Sequence, residues 1–157
     1  MLGDFLMNKV ICLSARLHCT TSRAFEMFTF NTQLEAWLTV VADVEPVVGG
    51  KYELFWNPAN REINSTLGCK VIAIEPDKFL SFEWKGPPQF KHFMNNADPL
   101  TSVVVFFIPC DEVLTPCTDV YLIHSGWGSS AEWEEARQYF VRAWTHAFDE
   151  LERQVNG

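Results

Sequence analysis

Few residues in this chain could do chemistry by type and place, and His124 is foremost among them. It keeps step with Val120 and Leu122 in the stretch Thr118–Ser125, and the two-residue period of a strand turns all three to one side. A buried neutral imidazole offers one donor and one acceptor. Such a group can orient a ligand, serve as an acid or base, or simply be satisfied within the core. Catalysis needs a positioned partner. Glu83 alternates out of phase with Phe82 and Trp84, and Glu53 with Tyr52, Leu54 and Trp56, so both carboxylates face solvent. His124 is therefore the one catalytic candidate if the protein is an enzyme, and the missing partner favours a non-enzymatic role.

The second group of candidates is aromatic. Trp37, Trp56, Trp84 and Trp144 each carry an indole N–H that needs an acceptor when buried, and in a pocket that donor can hold the polar end of a ligand. Phe106 and Phe140 complete the expected lining, with His124. The phase near Phe106 stays open, because Val103, Val105 and Phe107 are equally apolar. Five cysteines (Cys12, Cys19, Cys69, Cys110 and Cys117) form no CxxC and no zinc-like spacing. Most of them sit in strand-like stretches and read as small buried hydrophobes. No metal and no organic cofactor are expected.

One long element must position these groups. From about Ser130 to Val155, the residues Trp133, Ala136, Phe140, Trp144, Phe148, Leu151 and Val155 recur at helical spacing and make a single apolar stripe. Ser129 and Glu132 fit a capping box at its start. A helix with two tryptophans on its inner face needs a broad curved surface, which a twisted sheet supplies. Lys9–His18 alternates as a first strand, with Ile11, Leu13, Ala15 and Leu17 on one side. Thr20, Thr21 and Ser22 offer caps for a short helix to Phe28, and Thr32 with Glu35 fits a capping box for a second. Strand patterns follow from Val40, through Gly49-Gly50, then at Leu67–Glu75, Phe79–Trp84, Thr101–Ile108 and Thr118–Ser125. No crossover helices separate the later strands, so the sheet is antiparallel and the class is α+β. The stretch Lys85–Leu100 is irregular and holds Phe90, Phe93 and Met94. It is either a possible lid or a hairpin packed on its own aromatics.

Composition narrows the function. Twelve basic against twenty acidic residues give a formal charge of −8. With no basic cluster, nucleic acid and anionic membrane surfaces are set aside. No apolar run is long enough to span a bilayer, and the first residues lack the basic start of a signal peptide. A reducing cytoplasm fits the scattered cysteines.

The order of elements and its landmarks resemble the START-like superfamily, also called SRPBCC or helix-grip. The likeness is greatest to its activator of heat-shock protein 90 ATPase homologue group. The resemblance rests on Ser22-Arg23-Ala24-Phe25, Leu34-Glu35-Ala36-Trp37 and the run Asp43–Tyr52 with its paired glycines. It rests also on Gly68–Pro76 followed by Leu80–Trp84, on Thr118–Gly126, and on Trp144, Phe148 and Leu151. It covers about residues 9–155. One departure is Ala143, which stands where the family usually has Gly. The resemblance implies a single domain over 9–157 after an N-terminal extension of residues 1–8. It implies a curved antiparallel sheet of about six or seven strands wrapped on the C-terminal helix, with two short helices after the first strand. It also implies a cavity between helix and sheet, where superfamily members hold lipids, sterols and polyketides. Three roles follow: non-enzymatic binding of a hydrophobic or amphipathic small molecule, protein interaction of the chaperone-ATPase-activator type, and a cyclase- or hydrolase-like enzyme using His124. The expected partners are a hydrophobic small molecule and a chaperone or other protein.

Overall fold

The computed structural model describes residues 10–110 and 114–157. The expected N-terminal extension, residues 1–8, lies outside them. The strands are β1 (Ile11–Leu17), β2 (Val41–Val44), β3 (Tyr52–Phe55), β4 (Val71–Glu75), β5 (Phe79–Glu83), β6 (Ser102–Pro109) and β7 (Thr118–Ser125). Two short helices follow β1: α1 (Thr21–Thr29) and α2 (Asn31–Trp37). A 3-10 turn (Pro88–Phe90) leads into α3 (Lys91–Met94), and the chain closes on α4 (Ala131–Asn156).

Every strand pairing is antiparallel. Five strands pair in the order β1-β7-β6-β5-β4, and β2 pairs with β3. The expected six or seven strands are thus present, as a five-stranded sheet and a hairpin. A bridge between Lys51 and Lys70 joins the two, with hydrogen bonds from Tyr52 N to Cys69 O and from Val71 N to Gly50 O. Strand β4 starts at Val71 rather than at Leu67. The chain turns first at Gly68, whose φ of 88° is open to glycine and strained for most residues.

The inner face of the sheet and one stripe of α4 share the core. Ala136, Phe140, Trp144, Phe148 and Leu151 are all buried, as their spacing requires. They face Leu80, Phe82, Val103, Val105, Val120 and Leu122 in one apolar cluster. Phe28 and Trp37 from the short helices meet Phe148 edge to face, at centroid distances of 6.3 and 6.2 Å. α1 and α2 thereby close one end of the groove between helix and sheet.

Several local expectations are corrected. The N-cap of α4 is Ser130, not Ser129, and its side chain accepts from Trp133 N. Glu132 instead meets His92 at 2.9 Å. α2 has no side-chain cap: the single residue Phe30 separates it from α1, and the Glu35 carboxylate accepts from Ala42 N of β2. Cys110 and Cys117 are not separate buried thiols but a disulfide across the end of the β6–β7 hairpin, and Cys12 is exposed. Only Cys69 is a fully buried free thiol, and burial pushes its pKa up to about 12.

Candidate functional site

A cavity of about 400 Å³ lies beside α4, between it, the end of α2, β3 and the strand end that carries Trp84. That volume is in the range of small-molecule pockets. Its walls include Trp37, Trp56, Trp84, Phe140 and Trp144. Four elements deliver them. The α4 stripe places Phe140 and Trp144, the last turn of α2 places Trp37, and the strand phases of β3 and β5 carry on to Trp56 and Trp84.

Two of the expected lining residues stand elsewhere. Phe106 is turned outward and is 36% exposed. The pairing of β6 with β7 is the cause: Val103, Val105 and Phe107 lie opposite His124, Leu122 and Val120, whereas Phe106 lies opposite the exposed Tyr121. Directly opposed residues share a face, so the inward positions of β7 fix the odd-numbered residues of β6 as inward. His124 points inward as expected and is wholly buried, but it lies behind the wall rather than in it. Its ring sits among Trp127, Phe140, Trp84 and Trp144, at centroid distances of 4.4, 5.8, 6.2 and 6.3 Å.

The hydrogen bonds of His124 are complete. Its Nδ1 accepts from Trp144 Nε1 at 3.0 Å, and its Nε2 lies 3.0 Å from Thr101 Oγ1. Its backbone carbonyl accepts from Trp127 Nε1. Burial lowers its pKa to about 3, so the ring is neutral at ordinary pH. The ring has no carboxylate partner, and its polar atoms hold the wall together instead of addressing a bound molecule.

The possible lid residues are also placed otherwise. Phe90 and Met94 are buried, and Phe93 is half-buried. Phe90 meets Tyr139 at 5.4 Å, and Phe93 meets Trp133 at 4.9 Å. They clasp the first half of α4. Only Lys85 and Pro87 of this segment reach the cavity. The pattern that did not show in the sequence is a second stripe on α4, beside the apolar one. Tyr139, Ala143, His146, Ala147 and Glu150 keep helical spacing and also line the cavity. His146, exposed, and Glu150, half-buried, stand at the lip.

The indole donors differ in one respect. Trp37 Nε1 donates to Met27 O, Trp56 Nε1 to Leu38 O, and Trp144 Nε1 to His124. Trp84 is 3% exposed, and its Nε1 is the buried side-chain polar atom without a hydrogen-bond partner among the described residues. At the lip, Lys85 Nζ donates to Leu67 O at 2.6 Å, and Glu150 is engaged by Arg153 and Gln154.

The model of the family described as activator of Hsp90 ATPase homolog 1-like protein matches residues 18–156. The chain belongs to this family. As a member of the activator of Hsp90 ATPase homolog 1-like family it has the START-like, helix-grip architecture, and solved structures agree. A protein of Mesorhizobium loti superposes with a TM-score of 0.70 at 19% identity, over 94% of this chain and 96% of that one. The Aha1 dimer from Colwellia psychrerythraea gives 0.66 at 16% identity, over 93% and 95%. An HSP90 activator from Plasmodium falciparum gives 0.62 at 18% identity, over 89% and 90%. At these identities the likeness shows a shared fold. No curated protein sequence matches. Among the described residues no helix is long and apolar enough to cross a membrane.

Proposed function

We propose that this family member is a binding module that holds a hydrophobic or amphipathic small molecule between α4 and the sheet. The observation that carries the reading is the cavity of about 400 Å³ walled by four tryptophans and Phe140. Removing apolar surface from water contributes about 25 cal/mol per Å² before the costs of association. Trp37, Trp56, Trp84, Phe140 and Trp144 are the binding residues in this reading, and His124 is a positioning residue that acts through Trp144. Native mass spectrometry, with organic extraction, of protein purified from its own cells tests it. A stoichiometric apolar molecule supports it. Protein that carries none and also binds no hydrophobic probe contradicts it.

A second reading is a protein-interaction role with a chaperone. It is favoured by membership of the family and by the outer face of the sheet, where Phe106, Ile108 and Tyr121 are exposed beside a shallow apolar groove. Stimulation of a chaperone ATPase by the purified chain, lost on Phe106→Glu, would establish it. A catalytic role for His124 has no support in the geometry, since both ring nitrogens are engaged. Three free thiols fit a cytoplasmic location, whereas a disulfide at Cys110–Cys117 fits an oxidising compartment. Alkylation of the protein straight from cells decides between them.

A further inference from the structure

We propose that Cys110, Cys117 and Asp119 form a site for a thiophilic divalent cation of the zinc type, open when the two cysteines are reduced and closed by their disulfide. The site shares no residue with the cavity beside α4. Among the described residues, these three bring two sulfurs and a carboxylate oxygen to within 4.8 Å of one another. The backbone holds them there together with the S–S bond. Pairing of β6 with β7 runs to Pro109 and Thr118, and the N–H of Cys110 donates to the carbonyl of Cys117 at 3.0 Å. The two Cα atoms are 5.1 Å apart, so the ladder keeps the thiols neighbours when the S–S bond is cut. Asp119 lies two residues beyond Cys117, and the strand period turns it to the same side. The cysteines stand seven apart in sequence, a spacing that matches no zinc motif; the hairpin brings them together.

The ligand is the thiolate, so the disulfide form takes no cation. A thiol reductant opens the site. Two of its thiols become a disulfide, two electrons pass to the S–S bond, and the two cysteine sulfurs take up two protons. A cation that binds then displaces those protons. Tetrahedral coordination with metal–sulfur bonds of about 2.3 Å sets the sulfurs about 3.8 Å apart, a separation reached by turning the side chains while the ladder stays paired. Two thiolates and a carboxylate around a dication leave one negative charge. Arg16 balances it: its Nε and Nη2 donate to the two carboxylate oxygens of Asp119 at 2.8 and 3.0 Å. The same hydrogen bonds hold the Asp119 carboxyl below the usual carboxylate range and fix its orientation, as outer partners of metal ligands do. Each oxygen keeps a further lone pair for the cation. Sulfur ligands favour zinc and its thiophilic relatives over magnesium and calcium. Cys117 is buried, whereas Cys110 and Asp119 are half-buried, so water can complete the coordination from the solvent side.

Cobalt(II) is the probe, because its absorption spectrum reports its ligands. The full chain is reduced, freed of reductant without oxygen, and titrated with cobalt(II) beside the oxidised protein. The reduced chain should take up one equivalent, with a sulfur-to-cobalt charge-transfer band and the visible bands of a tetrahedral ion, and zinc should displace it. The oxidised chain should show neither band, and this comparison needs no variant. Joint replacement Cys110→Ser and Cys117→Ser should abolish the charge-transfer band. Joint replacement Cys12→Ser and Cys19→Ser should leave spectrum and stoichiometry unchanged. Asp119→Asn removes a ligand and should weaken zinc binding at least as much as loss of an outer partner does, about 10–100-fold. Equal uptake by reduced and oxidised protein, or no uptake by the reduced chain, overturns the inference. So does a charge-transfer band that survives loss of Cys110 and Cys117 or vanishes with Cys12 and Cys19, or an affinity unchanged in Asp119→Asn. The cavity reading stands apart from all of these results.

Discussion

The indole N–H of Trp144 donates to Nδ1 of His124 at 3.0 Å, and this bond fixes the tautomer of the histidine. With Nδ1 an acceptor, the ring proton sits on Nε2 and is donated to Thr101 Oγ1. One side chain of α4 is thereby tied to β7, and β7 to the residue just before β6. The polar chain Trp144–His124–Thr101 runs through the core behind the cavity wall and holds the wall tryptophan in place.

This chain makes stability depend on pH. Unfolded, His124 takes up a proton near pH 6.5; folded, burial holds its pKa at about 3. Between those values the unfolded state binds the extra proton, so stability is full above about pH 6.5 and falls as pH drops towards 3. The slope is about 1.4 kcal/mol per pH unit. Urea denaturation between pH 7 and pH 4 measures it. His124→Asn should show a shallower dependence by about that amount, and parallel profiles for the two proteins would contradict the assignment.

Trp144→Phe keeps an aromatic ring and removes the donor. It leaves Nδ1 of His124 buried without a partner, which should cost about 1–3 kcal/mol. Equilibrium urea denaturation at pH 7 checks the value. A loss below about 0.5 kcal/mol would mean that the bond does not hold the wall.

How much of this could be read from the sequence depended on whether the local pattern was one-sided. The α4 stripe and β7 were legible because polar residues mark their outer faces: Arg142 and Asp149 on the helix, Asp119 and Tyr121 on the strand. β6 was not legible, because Val103 to Ile108 is apolar throughout and its phase is set by pairing with β7, which a strand does not encode by itself. Phe106 therefore faces outward, although nothing in its own stretch distinguishes it from its inward neighbours. The orientation of His124 followed from strand period, but its partner Trp144 lies on another element, and its distance from the cavity depends on tertiary packing. The lip residues His146 and Glu150 were hidden because polar residues beside an apolar stripe usually mean a solvated face.

The α4 cap separates two neighbouring serines. Ser130 accepts from Trp133 N, so Ser130→Ala should lower stability by about 1 kcal/mol. Ser129→Ala should change it by less than about 0.5 kcal/mol, as an exposed residue with no such bond. Thermal denaturation of the pair distinguishes the two positions, and equal losses would contradict the assignment.

Phe93 tests whether the segment after β5 clasps or gates. Its ring lies on Trp133 and is half-buried. Phe93→Ala should cost about 1–2 kcal/mol, less than the 3–5 kcal/mol of a fully buried Phe. The affinity of the cavity for a hydrophobic probe, 2-acetylnaphthalene, should stay within about twofold. Faster release of the probe with unchanged stability would instead identify a gate.

The central claim is that the space beside α4 takes a ligand. Ala143 lines that space from the second helix stripe and is only partly buried, so Ala143→Leu narrows the cavity without entering the packed core. Calorimetric titration of wild type and Ala143→Leu with 2-acetylnaphthalene is the most direct measurement. The account expects saturable one-to-one binding by the wild type, weakened about tenfold or more in the variant, with melting temperatures within a few degrees of one another. Absence of saturable binding by the wild type, or equal affinity in both proteins, would contradict it.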